Sequence, residues 1–150
     1  MRGVIQRVSQ ASVLIDEKKV ASINDGFLVL LGIETQDTKE DSEWLANKIS
    51  QLRIFSDKDG KMNKSVTEID GEVIVVSQFT LHAKTQKGNR PSYIKAARPE
   101  QAIPLYEQFK KDLSIAIVKE VQSGEFATHM KVTLTNDGPV TIIIDTKNKE

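Results

Sequence analysis

Alternating and continuous apolar segments divide the chain into predicted strands. Residues 4–8 and 11–15 alternate between polar and apolar side chains, which is typical of strands with one solvated face, and a turn is predicted at residues 16–19. Residues 27–33 are apolar throughout, so we expect a central strand covered on both faces. In a second run, at residues 72–76, four of the five residues are aliphatic, which predicts another buried strand.

Two segments carry the spacing of amphipathic helices. The first begins at Asp37 and Thr38, where capping side chains are followed three residues later by acids, and it should end near Arg53. The second opens at Pro99, since proline suits the first position of a helix. The apolar stripes are Leu45, Ile49 and Leu52, widened by Trp44, in the first helix and Ala102, Tyr106, Phe109 and Leu113 in the second.

Three further strands are predicted near the carboxyl end, at residues 116–121, 130–135 and 140–144. Residues 136–138 read Asn-Asp-Gly, which is a hairpin signal, and Pro139 then blocks a ladder hydrogen bond. Residues 56–60 resemble the start of a calcium loop, but the later ligand positions of such a loop are not acidic here. We therefore predict a turn at residues 56–60. The fold class is therefore α/β, with mixed β-sheets, barrel-like or layered, and two main helices packed on them. The expected order is β-β-β-α-β-α-β-β-β, within a single domain spanning residues 1–150 and built around one core.

Composition narrows the class of protein. The 150 residues are 39% hydrophobic and 28% charged, and no apolar run is long enough to cross a membrane. The first residues lack the apolar region of a signal peptide, so we expect a cytoplasmic protein. The absence of cysteine excludes thiol chemistry, and only His82 and His129 are available as imidazole ligands. We expect neither a metal nor a cofactor.

The charges are balanced overall but unevenly distributed. No acidic residue occurs between residues 73 and 99, a window that contains Lys84, Lys87, Arg90, Lys95 and Arg98. This distribution indicates an electropositive surface and an anionic partner. A solvated loop whose charges are balanced by acidic neighbours in the fold explains it equally well, and both interpretations stay open.

The strongest candidate for chemistry follows the buried strand at residues 72–76. Ser77, Gln78 and Thr80 offer neutral donors and acceptors, which suit an ester or amide carbonyl better than a metal. The alternative is simply the polar end of a strand entering a loop. A nucleophilic Thr80 would need a base, but in an extended strand about 6.6 Å separates it from His82. We interpret His82 and His129 as surface residues.

Three motifs carry a resemblance to a known family. They are Ser77-Gln-Phe-Thr-Leu81, Lys87-Gly-Asn-Arg-Pro-Ser92 and Asn136-Asp-Gly-Pro-Val-Thr141. In this order and at this separation, the chain closely resembles the D-aminoacyl-tRNA deacylases, long called D-tyrosyl-tRNA deacylases. The resemblance implies a homodimeric, metal-free hydrolase that cleaves the ester between a D-amino acid, or glycine, and the terminal ribose of tRNA.

The resemblance also assigns residues. It implies that Ser77, Gln78, Phe79 and Thr80 bind the aminoacyl ester, and that Phe126 and Met130 line the same pocket. It implies a cis Gly138-Pro139 bond, donated across the dimer to reject L-amino acids. The family usually has glycine where this chain has Ala127, which affects the shape of the pocket. Candidate tRNA contacts, from the charge pattern, are Lys84, Lys87 and Arg90.

The residues leave the mechanism open. Backbone amides at Phe79 and Thr80 are candidate donors to an oxyanion, the neighbouring ribose hydroxyl could assist the attack, and a side-chain role for Thr80 remains an alternative. Two rivals from other classes are a binding module without turnover and a purely structural protein.

Overall fold

The computed structural model describes all residues, 1–150, as ten helices and strands and one short 3-10 helix. The strands are β1 (Arg2–Ile15), β2 (Lys18–Ile23), β3 (Gly26–Gly32), β4 (Phe55–Ser56), β5 (Met62–Lys64), β6 (Glu72–Ser77), β7 (Gln122–Ser123) and β8 (Lys131–Asp145). The helices are α1 (Lys39–Ser50) and α2 (Pro99–Ile117). The 3-10 helix, Phe79–His82, is called the site turn below.

Strand β1 is paired along both of its edges. On one edge, residues 2–8 pair antiparallel with β3 and residues 11–15 with β2, while β8 runs antiparallel along the other edge. Strands β3, β6 and β7 are parallel neighbours, which gives the sheet order β2-β1-β3-β6-β7. The carboxamide of Gln122 accepts from the Ser22 N–H and donates to the Ser22 carbonyl, so β7 returns to β2. The result is the expected mixed α/β fold, with a nearly closed, barrel-like sheet and two helices.

The interior contains two apolar clusters, where the sequence suggested one. The larger has 21 buried residues and lies between the sheet and the helices, and the smaller has eight on the other face of the sheet. Strand β3 explains the division, because Phe27 faces the larger cluster while its neighbour Leu28 faces the smaller. Burial of β3 on both faces confirms the predicted central strand.

Both helices begin where their capping signals lie. Asp41 accepts from the N–H of Thr38 and completes a capping box, and Pro99 occupies the first turn of α2. Helix α1 ends at Ser50, three residues before the predicted end at Arg53. No helix of the structure is long and apolar enough to span a membrane.

The structure corrects several predicted strands. Residues 4–8 and 11–15 belong to one strand, β1, and the unpredicted β2 follows the turn. Residues 116–121 form no strand, because Ile117 still belongs to α2 and the chain leaves the helix at Val118 with a left-handed φ of 55°. The turn cluster is confirmed: the Asp57 carboxylate accepts from the N–H groups of Asp59 and Lys61 in the β4–β5 connection.

The hairpin predicted at residues 136–138 is absent. Strand β8 is continuous, and its pairing partner changes from Thr141 opposite Gln6 to Asn136 opposite Val8. One residue of β1, Arg7, therefore lies opposite four residues of β8, so residues 137–140 project from the ladder as a large bulge. Pairing with β1 before and after this point outweighs the local turn signal.

A buried ion pair joins the amino end to the start of α1. The amino group of Met1 and the carboxylate of Asp37 form a salt bridge in which both side chains are fully buried. The Met1 amino group also donates to the Thr146 hydroxyl at 2.8 Å, and the other Asp37 oxygen accepts from the N–H of Glu34. This contact fixes β1 and the residue after β8 against the loop that enters α1.

Replacement of Asp37 by asparagine should strongly destabilise the fold. Asparagine still accepts from Glu34 but leaves the buried ammonium without its counter-charge, so we expect the free energy of unfolding in urea to fall by about 3–5 kcal/mol. Glu43→Gln, at an exposed position of α1, is the matched control. A loss no larger than that of the control would mean that Asp37 does not stabilise the buried ammonium.

Candidate active site

A cavity of about 620 Å³ opens where β6 ends. Its walls come from the ends of β3 and β6, the site turn, the entrance to α2 and the segment that precedes β8. The lining comprises Leu31, Ile33, Val76, Ser77, Gln78, Phe79, Tyr93, Ala96, Ala97, Arg98, Pro99, Ala102, Phe126, Ala127, Thr128, His129, Met130 and Val132. The lining is mostly apolar, with a few polar side chains and one charged residue, the exposed Arg98, which is a common composition for a small-molecule site.

Five of the predicted site residues meet in this cavity. Ser77, Gln78 and Phe79 form one wall, and Phe126 and Met130 form another. Thr80 comes next along the chain but does not line the cavity; its hydroxyl accepts a hydrogen bond from Nε2 of Gln78. The hydroxyl of Thr80 therefore positions the Gln78 side chain in this state.

The site turn differs from the extended strand that the sequence suggested. Residues 79–82 form a 3-10 helix, and no acceptor outside this helix pairs with the N–H groups of Phe79 or Thr80. The first N–H groups of a helix have no partner within it. Two adjacent amide donors are thus left free beside the cavity.

His82 is not the surface residue that was expected. Because the chain turns after Gln78, His82 packs inward, is only 5% exposed, and its Nε2 has no hydrogen-bond partner. His129 is exposed, as predicted, and lies at the edge of the cavity. The buried ring of His82 packs next to Gly32, beneath the turn. The separation between Thr80 and His82 that was expected for an extended strand therefore does not apply.

Two residues outside the motif hold the site turn in place. A side chain on Gly32 would come within 3.1 Å of the Gln78 carbonyl oxygen and 3.0 Å of the His82 ring, so its absence allows the turn to pack on β3. Arg2 donates from Nη1 to the Leu81 carbonyl at 2.7 Å and pairs with Asp145. Burial would raise the pKa of Asp145, but hydrogen bonds from Lys147 and Arg2 lower it below its usual value.

The wall opposite the turn is fixed by α2. The ring of Phe126 packs edge-on against Tyr106, with centroids 5.7 Å apart, and the Tyr106 hydroxyl donates to the Val75 carbonyl at 2.9 Å. Burial raises the pKa of Tyr106, so the hydroxyl stays protonated as a donor. Ala127 lines the cavity with a left-handed φ of 60°, a conformation that favours glycine.

Gly138 and Pro139 lie at the tip of the β8 bulge. Their peptide bond is cis, as the resemblance implied, and both residues are exposed. Arg7 donates to the Asp137 carbonyl at 3.1 Å and pairs with its carboxylate, while the Asn136 carboxamide donates to the carbonyls of Arg7 and Val140. These contacts fix the bulge, yet neither Gly138 nor Pro139 lines the cavity of its own chain.

The predicted basic residues lie on an exposed loop. Lys84 and Ser92 exchange backbone hydrogen bonds of 2.8 and 3.0 Å, which closes residues 85–91 into a loop that carries Lys87 and Arg90. None of the five basic side chains between residues 84 and 98 forms a salt bridge within the chain. No carboxylate is paired directly with these side chains, which favours the electropositive surface over the balanced-loop interpretation.

Several lining residues were not predicted as part of the site. Tyr93 lies in the acid-free window, and its aromatic ring among cations was a usable signal. Ile33 and Ala102 were assigned only to the core, because nothing local distinguishes a cavity wall from a packed interior. No group of three potential metal-ligating side chains occurs in the structure.

Comparisons with known proteins identify a family. The family model described as D-Tyr-tRNA(Tyr) deacylase matches residues 4–145. Proteins named D-aminoacyl-tRNA deacylase from Bacteroides fragilis and Flavobacterium psychrophilum are 64% and 63% identical, over the full length of both chains.

Solved structures show the same fold. One, entitled c-Myc DNA Unwinding Element Binding Protein, has a TM-score of 0.92 and 39% identity, covering 97% of this chain and 99% of that one. A probable eukaryotic D-amino acid tRNA deacylase has a TM-score of 0.80 at 17% identity, covering 95% and 97%, which supports the fold alone. On the family match and the full-length identities, this chain belongs to the D-aminoacyl-tRNA deacylase family.

Proposed function

We propose that the protein hydrolyses the ester between a D-amino acid, or glycine, and the 3′-terminal ribose of tRNA. The observation that carries the proposal is a mostly apolar cavity lined by Ser77, Gln78 and Phe79, next to a site turn whose first two N–H groups have no acceptor. Neutral donors and acceptors can orient an ester carbonyl, and the family to which the chain belongs supplies the substrate class. The products are free tRNA and a free amino acid, in a cytoplasmic proofreading step.

The chemistry proposed for the site relies on backbone donors. As water adds to the ester carbonyl, negative charge develops on its oxygen, and the N–H groups of Phe79 and Thr80 are free to stabilise it. His82 does not serve as the base, because its ring is buried and packed toward Gly32. The neighbouring ribose hydroxyl of the substrate would position or activate the water, so neither a metal nor a cofactor is required.

The Gly138-Pro139 pair is proposed to exclude L-amino acids from the cavity of a second copy. On β1, Arg2 contacts the site turn and Arg7 contacts the bulge. These two residues are five positions apart, which corresponds to about 16 Å along the strand. This separation supports a role for the pair in a partner's cavity. Backbone carbonyls placed against the α-carbon would collide with the side chain of an L-residue, whereas D-residues and glycine would fit.

An exposed apolar surface supports the homodimer. A groove of about 880 Å³ lies between α1, β8 and the site turn, and its lining includes Leu81, Trp44 and Ile142. Ile143 in the same groove is 68% exposed, and β8 pairs with no strand other than β1. Large apolar patches next to an unpaired strand edge are characteristic of interfaces, and a second copy here would lie beside the site turn.

Release of amino acid from charged tRNA is the decisive assay. With tRNA carrying D-tyrosine, L-tyrosine or glycine, we expect the D-tyrosyl and glycyl esters to be cleaved, with no loss of activity in a chelating buffer, and the L-tyrosyl ester to be spared. Binding without turnover would favour a non-enzymatic binding module instead. Equal rates on the D- and L-esters would overturn the selectivity.

Two substitutions at Thr80 separate the backbone from the side chain in that assay. Thr80→Pro removes one proposed oxyanion donor and should lower kcat about 100- to 1,000-fold. The variant should still fold, because proline is tolerated in the first turn of a helix. Thr80→Ala keeps the amide and should cost far less. If both folded variants were equally inactive, the Thr80 hydroxyl would be the functional group.

Mixed dimers test whether each site is shared between two copies. Thr80→Pro damages the cavity, and Pro139→Trp places a bulky group on an exposed tip, so each homodimer should be inactive on the D-ester. Random exchange of subunits creates one intact site in each mixed dimer, and about a quarter of wild-type activity should return. If no activity returned although differently tagged subunits had exchanged, Thr80 and Pro139 would act in the site of the same chain.

Lys84, Lys87 and Arg90 are proposed to contact tRNA phosphates. The double variant Lys87→Glu/Arg90→Glu should raise KM without changing kcat, and the slope of log affinity against log salt should become shallower by about 1.4 to 1.8, the contribution of two phosphates. Lys18→Glu/Lys19→Glu on β2 gives the same change in net charge away from the cavity. Equal effects of the two double variants would reduce the role of the loop to overall charge.

A further inference from the structure

Two exposed aromatic rings stand at the mouth of the cavity. Phe79 is 54% exposed and Tyr93 is 38% exposed, and their centroids are 5.0 Å apart at an interplanar angle of 72°. Both residues line the cavity, but their rings extend to its surface. Exposed aromatic surface of this size is costly in water, so a bound group that covers it would be stabilised.

The backbone that carries Tyr93 is fixed on both sides. The Lys84–Ser92 bridge precedes it, and the Ala96–Glu34 bridge follows it. The N–H of Ala96 also donates to the Tyr93 carbonyl at 2.9 Å. Tyr93 therefore presents its ring from an anchored segment, which lowers the conformational entropy lost when a ligand stacks on it.

The surroundings of the rings are cationic. Lys84 lies on one side of Tyr93 in sequence, Lys95 and Arg98 on the other, and all three are exposed and free of salt bridges. Aromatic rings that stack bases, next to cations that neutralise phosphates, are the combination by which proteins bind single-stranded nucleic acid. An acidic peptide would use the cations but would gain little from two neighbouring exposed rings.

We propose that the Phe79–Tyr93 pair binds the unpaired base that immediately precedes the esterified nucleotide at the 3′ end of tRNA. The inference rests on the proposed function, since the ester must occupy the cavity for the preceding nucleotide to reach its rim. Stacking on these rings does not depend on the identity of the base. Phe79 thus has two roles, with its amide facing the reaction and its ring facing the nucleic acid, while Tyr93 serves binding alone.

The test measures binding of uncharged tRNA, with 2-aminopurine as the penultimate base, alongside steady-state cleavage of D-tyrosyl-tRNA. Tyr93→Leu, which keeps bulk but not the ring, should weaken binding about 5- to 100-fold, abolish the fluorescence quenching caused by stacking, and raise KM with little change in kcat. Tyr93→Phe should behave like the wild type. Ile94→Ala, at a neighbouring residue that is 75% exposed, is the matched control.

Salt dependence separates stacking from charge. The ratio of Kd between Tyr93→Leu and wild type should stay constant from low to high salt, because no phosphate contact is lost. Unchanged tRNA affinity and unchanged quenching in Tyr93→Leu would overturn the proposal. A weakened dimer with unchanged tRNA affinity would also overturn it, because a second copy of the chain would then cover the rings. If the wild type bound tRNA through Tyr93 but cleaved no ester, the result would contradict the proposed activity and support the binding of a base by the Phe79–Tyr93 pair.

Discussion

The pairing of β1 with strands on both of its edges is the constraint on which the arrangement of the site depends. Residues 2–8 are held by β3 and residues 11–15 by β2, so β1 offers β8 a continuous edge that cannot shift. Strand β8 has more residues than that edge can pair, and the excess leaves the ladder as the bulge at residues 137–140. A one-residue slip elsewhere would turn Val132 and Leu134 away from the smaller core. The position of Gly138 and Pro139 is thus set by strand register.

The same strand also supplies the side chains that hold the site turn and the bulge. Arg2 reaches the carbonyl of Leu81 at the end of the site turn, and Arg7 reaches the carbonyl and carboxylate of Asp137 at the bulge. Because β1 is rigid, the turn and the bulge keep a fixed separation within one chain. A two-fold assembly would then join two bulges to two cavities with a single geometry, which requires no movement within either subunit.

Local sequence was a reliable guide where one neighbourhood decides the structure, and it failed where distant pairing decides it. The capping box at Thr38 and Asp41 and the burial of β3 were readable from short windows. The Asn-Asp-Gly signal at residues 136–138 was misleading because β1 pairs with β8 on both sides of it. His82 was misassigned for a related reason: its burial depends on a 3-10 turn packed over Gly32, a residue 50 positions away. The motif residues Ser77 to Phe79 line one cavity with the predicted Phe126 and Met130, but the walls contributed by Ile33, Ala97 and Ala102 carry no local signature.

The donors proposed for the site are backbone amides, so their positions depend on the residues that shape the backbone, more than on the residues that would touch the substrate. The free N–H groups of Phe79 and Thr80 exist because the chain enters a short 3-10 helix, and that helix keeps its place through the absence of a side chain at Gly32 and the guanidinium of Arg2. The side chains of Ser77 and Gln78 can then remain neutral, and the one charged residue of the lining, Arg98, is exposed to solvent. The charges lie instead on the loop between residues 84 and 98, where water still reaches them and where a polyanion can replace their counterions without burying them. A chain of zero net charge thus presents, within about twenty residues, neutral motif side chains at a cavity and exposed cations on the adjoining loop.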